Sequence, residues 1–309
     1  EGAGGAAHIP PCFHEPINWG SFEHIESLPQ APQASGEVMR MRHAESGVEC
    51  VFKLVVVPIQ DQNEINLNLK GIREAWNGPL SSHEGICTLY GCMYERPNHR
   101  FVIATPWMDG LSLRDHMRQQ PLPEAVVGCV VSQVIAALAY LHKEWHRAHR
   151  DLKPGNILLS TAGEVKVTDL GQSKQLAATL GIMGSFVGAQ VYMSPQRIQG
   201  ASYTSACDVW SLGLIAQECM LGDFPYNSVV SDHSIDVMIE TMEAGPPPPL
   251  AEGNFSEEAR SFCAVALTME EAQRPTSMAL MEHPYVLNSR DPQPLREWVK
   301  ASLASIGRV

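Results

Sequence analysis

The chain contains no apolar run that approaches the roughly 18 residues a membrane-spanning helix requires. Its eight cysteines include no C-x-x-C pair and no ligand cluster, which argues against a zinc or disulfide framework and for reduced thiols. Positive charge is scarce as well: 22 Lys and Arg stand against 34 Asp and Glu, a net charge of −12. A surface for nucleic acid or anionic lipid needs a field of the opposite sign, so neither partner is expected. Residues Glu1 to Ala7 lack the basic and apolar regions of a secretory signal. The expectation from these absences is a cytoplasmic protein with no membrane span.

What is present suffices for a sizeable core, since 309 residues at 44% hydrophobic can fill one large domain or two lobes. Residues 1–19, rich in Gly, Ala and Pro at their start, read as a flexible extension. Residues 20–105 carry mostly strand signals. Val38 to Met41 and Cys50 to Val57 are β-favouring runs around a turn at Ser46-Gly47, and Ile86 to Tyr94 and Phe101 to Thr105 form a second pair around Pro97-Asn98. One short helix, Ile65 to Trp76, interrupts them and ends at Asn77-Gly78-Pro79.

Residues 106–287 turn helical. Glu124 to His142 places Val127, Val130, Val131, Val134, Leu138 and Leu141 at i, i+3, i+4 spacing, which predicts a buried face. Asp208 to Leu221 and Ser256 to Met269 repeat the pattern. Residues 288–309 read as a tail in which Pro292 to Ser305 suits an amphipathic helix. The fold class is therefore α+β: a small antiparallel β-rich lobe with one helix, then a larger, mainly helical lobe.

Between the helical blocks lies a segment with another logic. Asp151 and Asn156 stand five apart. Two short strands, Ile157 to Leu159 and Val165 to Val167, flank a turn at Thr161-Ala162-Gly163 and lead into Asp169. A hairpin of that length returns the chain to its start, which predicts Asp169 beside Asn156. Convergent oxygen donors of this kind suit a magnesium–phosphate site.

The stretch His149-Arg150-Asp151-Leu152-Lys153-Pro154-Gly155-Asn156, followed by Asp169-Leu170-Gly171, resembles the catalytic loop and metal-binding turn of protein kinases. The resemblance implies the bilobal kinase fold and the use of ATP and Mg2+. It implies that Asp151 orients the substrate hydroxyl and accepts its proton, that Lys153 contacts the transferred phosphoryl group, and that Asn156 and Asp169 hold magnesium. Cys50-Val51-Phe52-Lys53 is similar to the strand whose Lys pairs with the nucleotide phosphates, and Glu74 to the helix carboxylate that holds that Lys. Gly36 and Val38 fall at the end of the nucleotide loop. Thr105-Pro106-Trp107-Met108 resembles the hinge, with Thr105 as gatekeeper and the backbone at Met108 facing adenine. Asp208 and Arg274 match two structural residues of the large lobe.

Ser185-Phe186-Val187-Gly188 and Tyr192-Met193-Ser194-Pro195 resemble the activation segment of MAP kinase kinases. So do Phe22-Glu23-His24-Ile25, Trp107-Met108-Asp109-Gly110 and the Pro246–Pro249 loop. This implies a MAP kinase as protein substrate, modified on Ser/Thr and on Tyr, and an upstream activating kinase. Ser185 aligns with one activating phosphorylation site, Thr179 is a second candidate, and Arg150 would pair with the new phosphate.

The chain departs from the pattern at five places, the nucleotide loop counting as one. Ala31 and Gln33 stand where the nucleotide loop has Gly, Leu170 where the metal turn has Phe, and Gly78 where an apolar side chain is usual. Ala189 replaces Thr, and Gln196 replaces the Glu that would pair with Arg274. They keep open a second reading, a pseudokinase or weak kinase acting as scaffold or allosteric partner. A third, zinc held by His142, His146 and His149 on one helical face, competes with packing roles for the same residues.

Overall fold

The computed structural model describes residues 9–14, 17–29, 36–57, 59, 61–76, 83–117, 120–170, 190–229 and 235–308. The chain forms two compact units, Glu1–Trp107 with Asp169–Phe186, and Met108–Thr168 with Val187–Val309.

The first unit is built on an antiparallel sheet. Its strands are β1 (Phe22–Ser27), β2 (Glu37–His43), β3 (Glu49–Val56), β4 (Gly91–Glu95) and β5 (Arg100–Pro106), in the order β1-β2-β3-β5-β4. Period-two alternation explains how β5 serves two cores. Phe101 and Ile103 join a cluster with Val55, Leu89 and the residues of helix α1 (Gln62–Trp76), while Val102 and Ala104 join another with Phe22, Met41 and Phe52. Helix α1 starts where the Asp61 carboxylate accepts the Glu64 N–H at 2.9 Å, and it buries Ile65 and Ile72.

Two expectations need correction. Residues 1–19 are not all a loose extension: Phe13 is 3% exposed, 4.8 Å from the Tyr90 ring and 5.1 Å from the Phe22 ring. A single aromatic with a pocket to fill outweighs the Gly and Pro around it. The strand expected over Ile86 to Tyr94 begins only at Gly91; Ile86, Cys87 and Leu89 are buried but belong to no strand.

The second unit contains helices α2 (Leu113–His116), α3 (Glu124–Glu144), α4 (Pro195–Ile198), α5 (Ala206–Leu221), α6 (Ile235–Ala244), α7 (Glu257–Ala266), α8 (Ser277–Leu280), α9 (Pro284–Leu287) and α10 (Gln293–Ser305). Strands β6 (Ile157–Leu159) and β7 (Val165–Val167) pair as the expected hairpin, Ile157 opposite Val167. Helix α3 is the central pillar, with Val127, Val130, Val131, Val134, Leu138 and Leu141 all buried. By length and composition α3 would suffice to cross a membrane, which corrects the reading that no run approaches that size. Of its most apolar stretch, 72% is buried against protein, the usual condition of a core helix.

Candidate active site

The catalytic segment begins where α3 ends. Asp208, on the first turn of α5 and 1% exposed, accepts the backbone N–H groups of His149 at 2.7 Å and Arg150 at 2.9 Å. It also takes the Nε2 of His142 at 2.8 Å. Burial alone pushes this carboxyl up. The His142 hydrogen bond and charge, with His149 and the Arg150 amide, outweigh it, so the net displacement is below the ordinary value. Arg150 has φ +71, a left-handed conformation that a non-glycine residue keeps only when its surroundings fix it. The two bonds to Asp208, and the Arg197 guanidinium on the Arg150 carbonyl at 2.5 Å, supply that fixation.

His149 carries the frame inward. Its Nε2–H donates to the Thr168 carbonyl at 2.8 Å, so Nδ1 is the acceptor for the Asp151 N–H at 3.2 Å. Asp151, Lys153 and Asn156 come together. Lys153 Nζ lies 2.9 Å and Asn156 Nδ2 3.0 Å from Asp151 Oδ2, and Asn156 Nδ2 also donates to the Asp151 carbonyl at 2.7 Å. Both partners of that amide are acceptors, so its nitrogen must face them and its oxygen points the other way. A fixed amide oxygen is a hard donor of the kind magnesium takes. The hairpin closes as Thr168 N–H reaches the Asn156 carbonyl at 3.0 Å, and Asp169 is the next residue, with φ +63.

In the first unit, Gly36 has φ +106, and a Cβ there would stand 2.1 Å from the Leu54 carbonyl oxygen, so glycine is required. Val38 sits opposite Lys53 across the β2–β3 ladder, and Thr105 opposite Val51 across β3–β5. Lys53 does not meet Glu74. Its ammonium lies 2.9 Å and 3.1 Å from the carboxylate oxygens of Asp169. Glu74 is 66% exposed and 3.6 Å from Lys70, one turn back along α1. The expectation of a Lys53–Glu74 pair is therefore corrected, and the cause is angular. Glu74 stands two residues, about 200°, past Ile72, which is fully buried against the sheet.

Other expected residues fall as follows. Met108 is buried, and its carbonyl accepts the Leu111 N–H at 3.1 Å. The Arg150 side chain is exposed, 5.7 Å over the Tyr203 ring, and borders a cavity of about 340 Å3 with His146 and Thr204. Both ring nitrogens of His142 are engaged, by Asp208 and by Ser277 at 2.8 Å, as are both of His149, which gives these two histidines structural partners in place of a metal. Arg274 donates to the Gln196 side-chain oxygen at 3.2 Å. Ala31, Gln33, Gly78, Thr179, Ser185 and Ala189 lie outside the described residues.

Sequence reasoning missed two features. Arg40, ion-paired with Glu26 and Glu49, places its guanidinium 4.4 Å from the Trp107 ring centroid. Tyr192 donates to Glu218 at 2.6 Å and accepts from Arg114, which also reaches Glu218 at 3.3 Å, tying residues 190–192 to α5. Burial pushes both the Tyr192 hydroxyl and the Glu218 carboxyl up, Arg114 notwithstanding. These partners are 78 and 104 residues apart, and no local pattern announces them.

Residues 34–286 match the protein kinase domain family. The chain is 36% identical to Mitogen-activated protein kinase kinase 2 of Arabidopsis thaliana over 267 residues, which are 84% of this chain and 70% of that protein. It is 34% identical to Mitogen-activated protein kinase kinase 3 of the same plant, over 82% of this chain and 48% of that one. Identity to the Dual specificity mitogen-activated protein kinase kinase dSOR1 of Drosophila melanogaster is 30%, over 88% and 73%. The chain thus belongs to the protein kinase family and, within it, to the MAP kinase kinases, as a Ser/Thr or dual-specificity protein kinase.

Proposed function

We propose that this kinase transfers the γ-phosphoryl group of ATP, with Mg2+, to Ser/Thr and Tyr hydroxyls of a MAP kinase. The observation that carries the reading is the convergence of Lys153 and Asn156 on Asp151 Oδ2. ATP with its magnesium supplies the phosphoryl group and the charge that neutralises it. Asp151 takes the substrate's hydroxyl proton as the new O–P bond forms, and the bond to the leaving ADP oxygen breaks. Lys153 faces the transferred group, and Asn156 and Asp169 contribute oxygen donors to the metal. Gly36, Val38, Lys53, Thr105 and Met108 hold the nucleotide.

Activity is gated by an upstream kinase acting on Ser185, with Thr179 as a second acceptor, and Arg150 receives the phosphate. The pairing of Lys53 with Asp169 supports gating, because both residues must change partner before the nucleotide and metal can be held. The same pairing is what a scaffold that never assembles the site would display, so the two readings share one test. The full chain, wild type and Ser185→Glu/Thr179→Glu, is assayed for phosphate transfer to a panel of MAP kinases, with Thr and Tyr products read separately. Transfer by the Glu variant exceeding wild type supports gated catalysis. No transfer from either, together with no thermal shift on ATP and magnesium, leaves the scaffold.

A further inference from the structure

Helix α10 lies beyond the matched kinase domain, yet one of its faces is buried in the second unit. Leu295, Val299 and Leu303 are 0%, 0% and 4% exposed, a stripe at i, i+4, i+8 that seats the helix. Two polar ties leave its flanks, and both end on backbone next to the catalytic hairpin.

The first tie runs through His116, 6% exposed at the end of α2. A carbonyl only accepts, so Nε2–H donates to the Gly110 oxygen at 2.7 Å. Nδ1 is then the acceptor for the Ser302 hydroxyl of α10, also at 2.7 Å, and Trp298 covers the imidazole with centroids 5.1 Å apart. Gly110 lies flat against β6. Its N–H donates to the Leu159 carbonyl at 3.0 Å, and a Cβ there would stand 2.6 Å from that group. Leu111 keeps φ +62 while its carbonyl receives the Leu159 N–H at 2.8 Å. A left-handed leucine persists only where its surroundings impose it, and His116 is one of those impositions.

The second tie is at the hairpin tip. Arg296 Nε of α10 donates to the Ala162 carbonyl at 3.0 Å. Gly163, with φ +84, passes so near the helix start that a Cβ would lie 2.8 Å from the Pro292 oxygen. Gln133 of α3 clasps the same tip, donating to the Gly163 carbonyl at 3.0 Å and accepting the Val165 N–H at 2.9 Å.

We infer that α10 is a positioning element of the kinase, with His116, Ser302 and Arg296 clamping the 108–111 turn and the hairpin tip on either side of β6. Neither residue group touches reacting atoms. The clamp acts through Met108, which starts the turn, and through Asn156, which precedes β6. Its kinetic consequence rests on the nucleotide role proposed for Met108; its structural consequence does not.

The test uses the full chain with Ser302→Ala, His116→Ala, His116→Gln and Arg296→Ala. Glutamine keeps a donor for the Gly110 carbonyl, so it separates the bond from the ring. Amide hydrogen exchange is followed in peptides covering 108–112 and 159–165. Exchange should quicken about tenfold over 108–112 in Ser302→Ala and His116→Ala, the effect of losing one buried hydrogen bond. His116→Gln should restore protection, and Arg296→Ala should act on 159–165 alone. Protection within about twofold of wild type in all variants, or loss spread equally over α3 and α5, overturns the clamp.

In active protein, His116→Ala should raise KM for ATP about tenfold with kcat little changed, and His116→Gln should reverse it. A fall in kcat at constant KM overturns that arm. A wild type that binds no ATP removes the nucleotide reading and leaves the exchange result to decide the clamp.

Discussion

Lys53 and Asp169 hold each other, with the ammonium 2.9 Å and 3.1 Å from the two carboxylate oxygens and both side chains about one quarter exposed. In a working protein kinase the Lys is paired with a helix carboxylate and the Asp with metal. Here each is engaged by the other, while Glu74 faces outward beside Lys70. Under the gating proposed above, activation would require Lys53 to change partner, and the Lys53–Asp169 pairing would keep catalysis low by occupying both residues at once.

Glu74→Gln separates the resting state from the active one. The exposed Lys70–Glu74 pair is worth a few tenths of a kcal/mol (about 0.3 to 0.5) at most, so the melting temperature of unphosphorylated protein should move by less than about 1 °C. In the Ser185-phosphorylated protein kcat should fall at least about tenfold, because the carboxylate is then required. An active form indifferent to the substitution would show that Lys53 finds some other anchor.

Asp151→Asn addresses the proton. The amide oxygen can still accept from Lys153, so the loop keeps its shape, but the substituted group no longer takes a proton. Loss of general-base assistance should lower kcat by about 10² to 10⁴ with KM for ATP unchanged. Single-turnover transfer at the wild-type rate would remove Asp151 from the chemistry.

Asp208 is the residue whose ionisation ties the fold to pH. Its carboxyl is held below its ordinary value by His142 and the amides it receives, against the opposing effect of burial. A group depressed in the folded state stabilises above its unfolded value, near pH 4, and the contribution drains away as pH falls through the folded one. Asp208→Asn leaves one acceptor oxygen for three N–H donors and the Cys207 thiol, and turns an NH2 toward N–H groups. We expect a loss of about 3 to 5 kcal/mol at neutral pH and a smaller fall in stability on acidification below pH 4. Urea titrations at pH 7 and pH 3.5 measure both, and an unchanged acid slope would assign the acid sensitivity elsewhere.

The catalytic hairpin was legible because everything that makes it is local: two apolar triplets, a Gly-containing turn, and polar residues at fixed offsets within 19 residues of His149. The Val and Leu stripe of α3 was legible for the same reason. Glu74 was readable in principle, since Ile65, Leu69 and Ile72 at i, i+4, i+7 define the buried face and leave position 74 off it. At this position the motif register, which points Glu74 at Lys53, and the helical periodicity disagree, and the helix follows the periodicity. Phe13, Tyr192 with Glu218, and Arg40 over Trp107 were not readable, because each depends on a cavity or charge contributed by distant chain. The same holds for His142, whose bond to Asp208 spans 66 residues.

Gln196 provides a last expectation, in the direction of gain. Arg274 is 4% exposed, stacked 5.0 Å from Trp210, and its hydrogen bonds end on neutral oxygens of Thr268, Ala206, Gln196 and Met269. Burial lowers its pKa from the ordinary value, partly offset by Glu271. Gln196→Glu converts the 3.2 Å bond from the Arg274 cation to a neutral amide oxygen into an ion pair, at the loss of the 2.7 Å bond from the Gln196 amide to the Met269 carbonyl. The charged bond is stronger by about 1 to 2 kcal/mol, and the lost neutral one is worth about 1, so the net gain should be under about 1 kcal/mol. It should show as a higher urea midpoint with an unchanged slope. A lower midpoint would mean that the carboxylate cannot turn away from the Met269 carbonyl, and that the amide is the better fit for this site as the chain has built it.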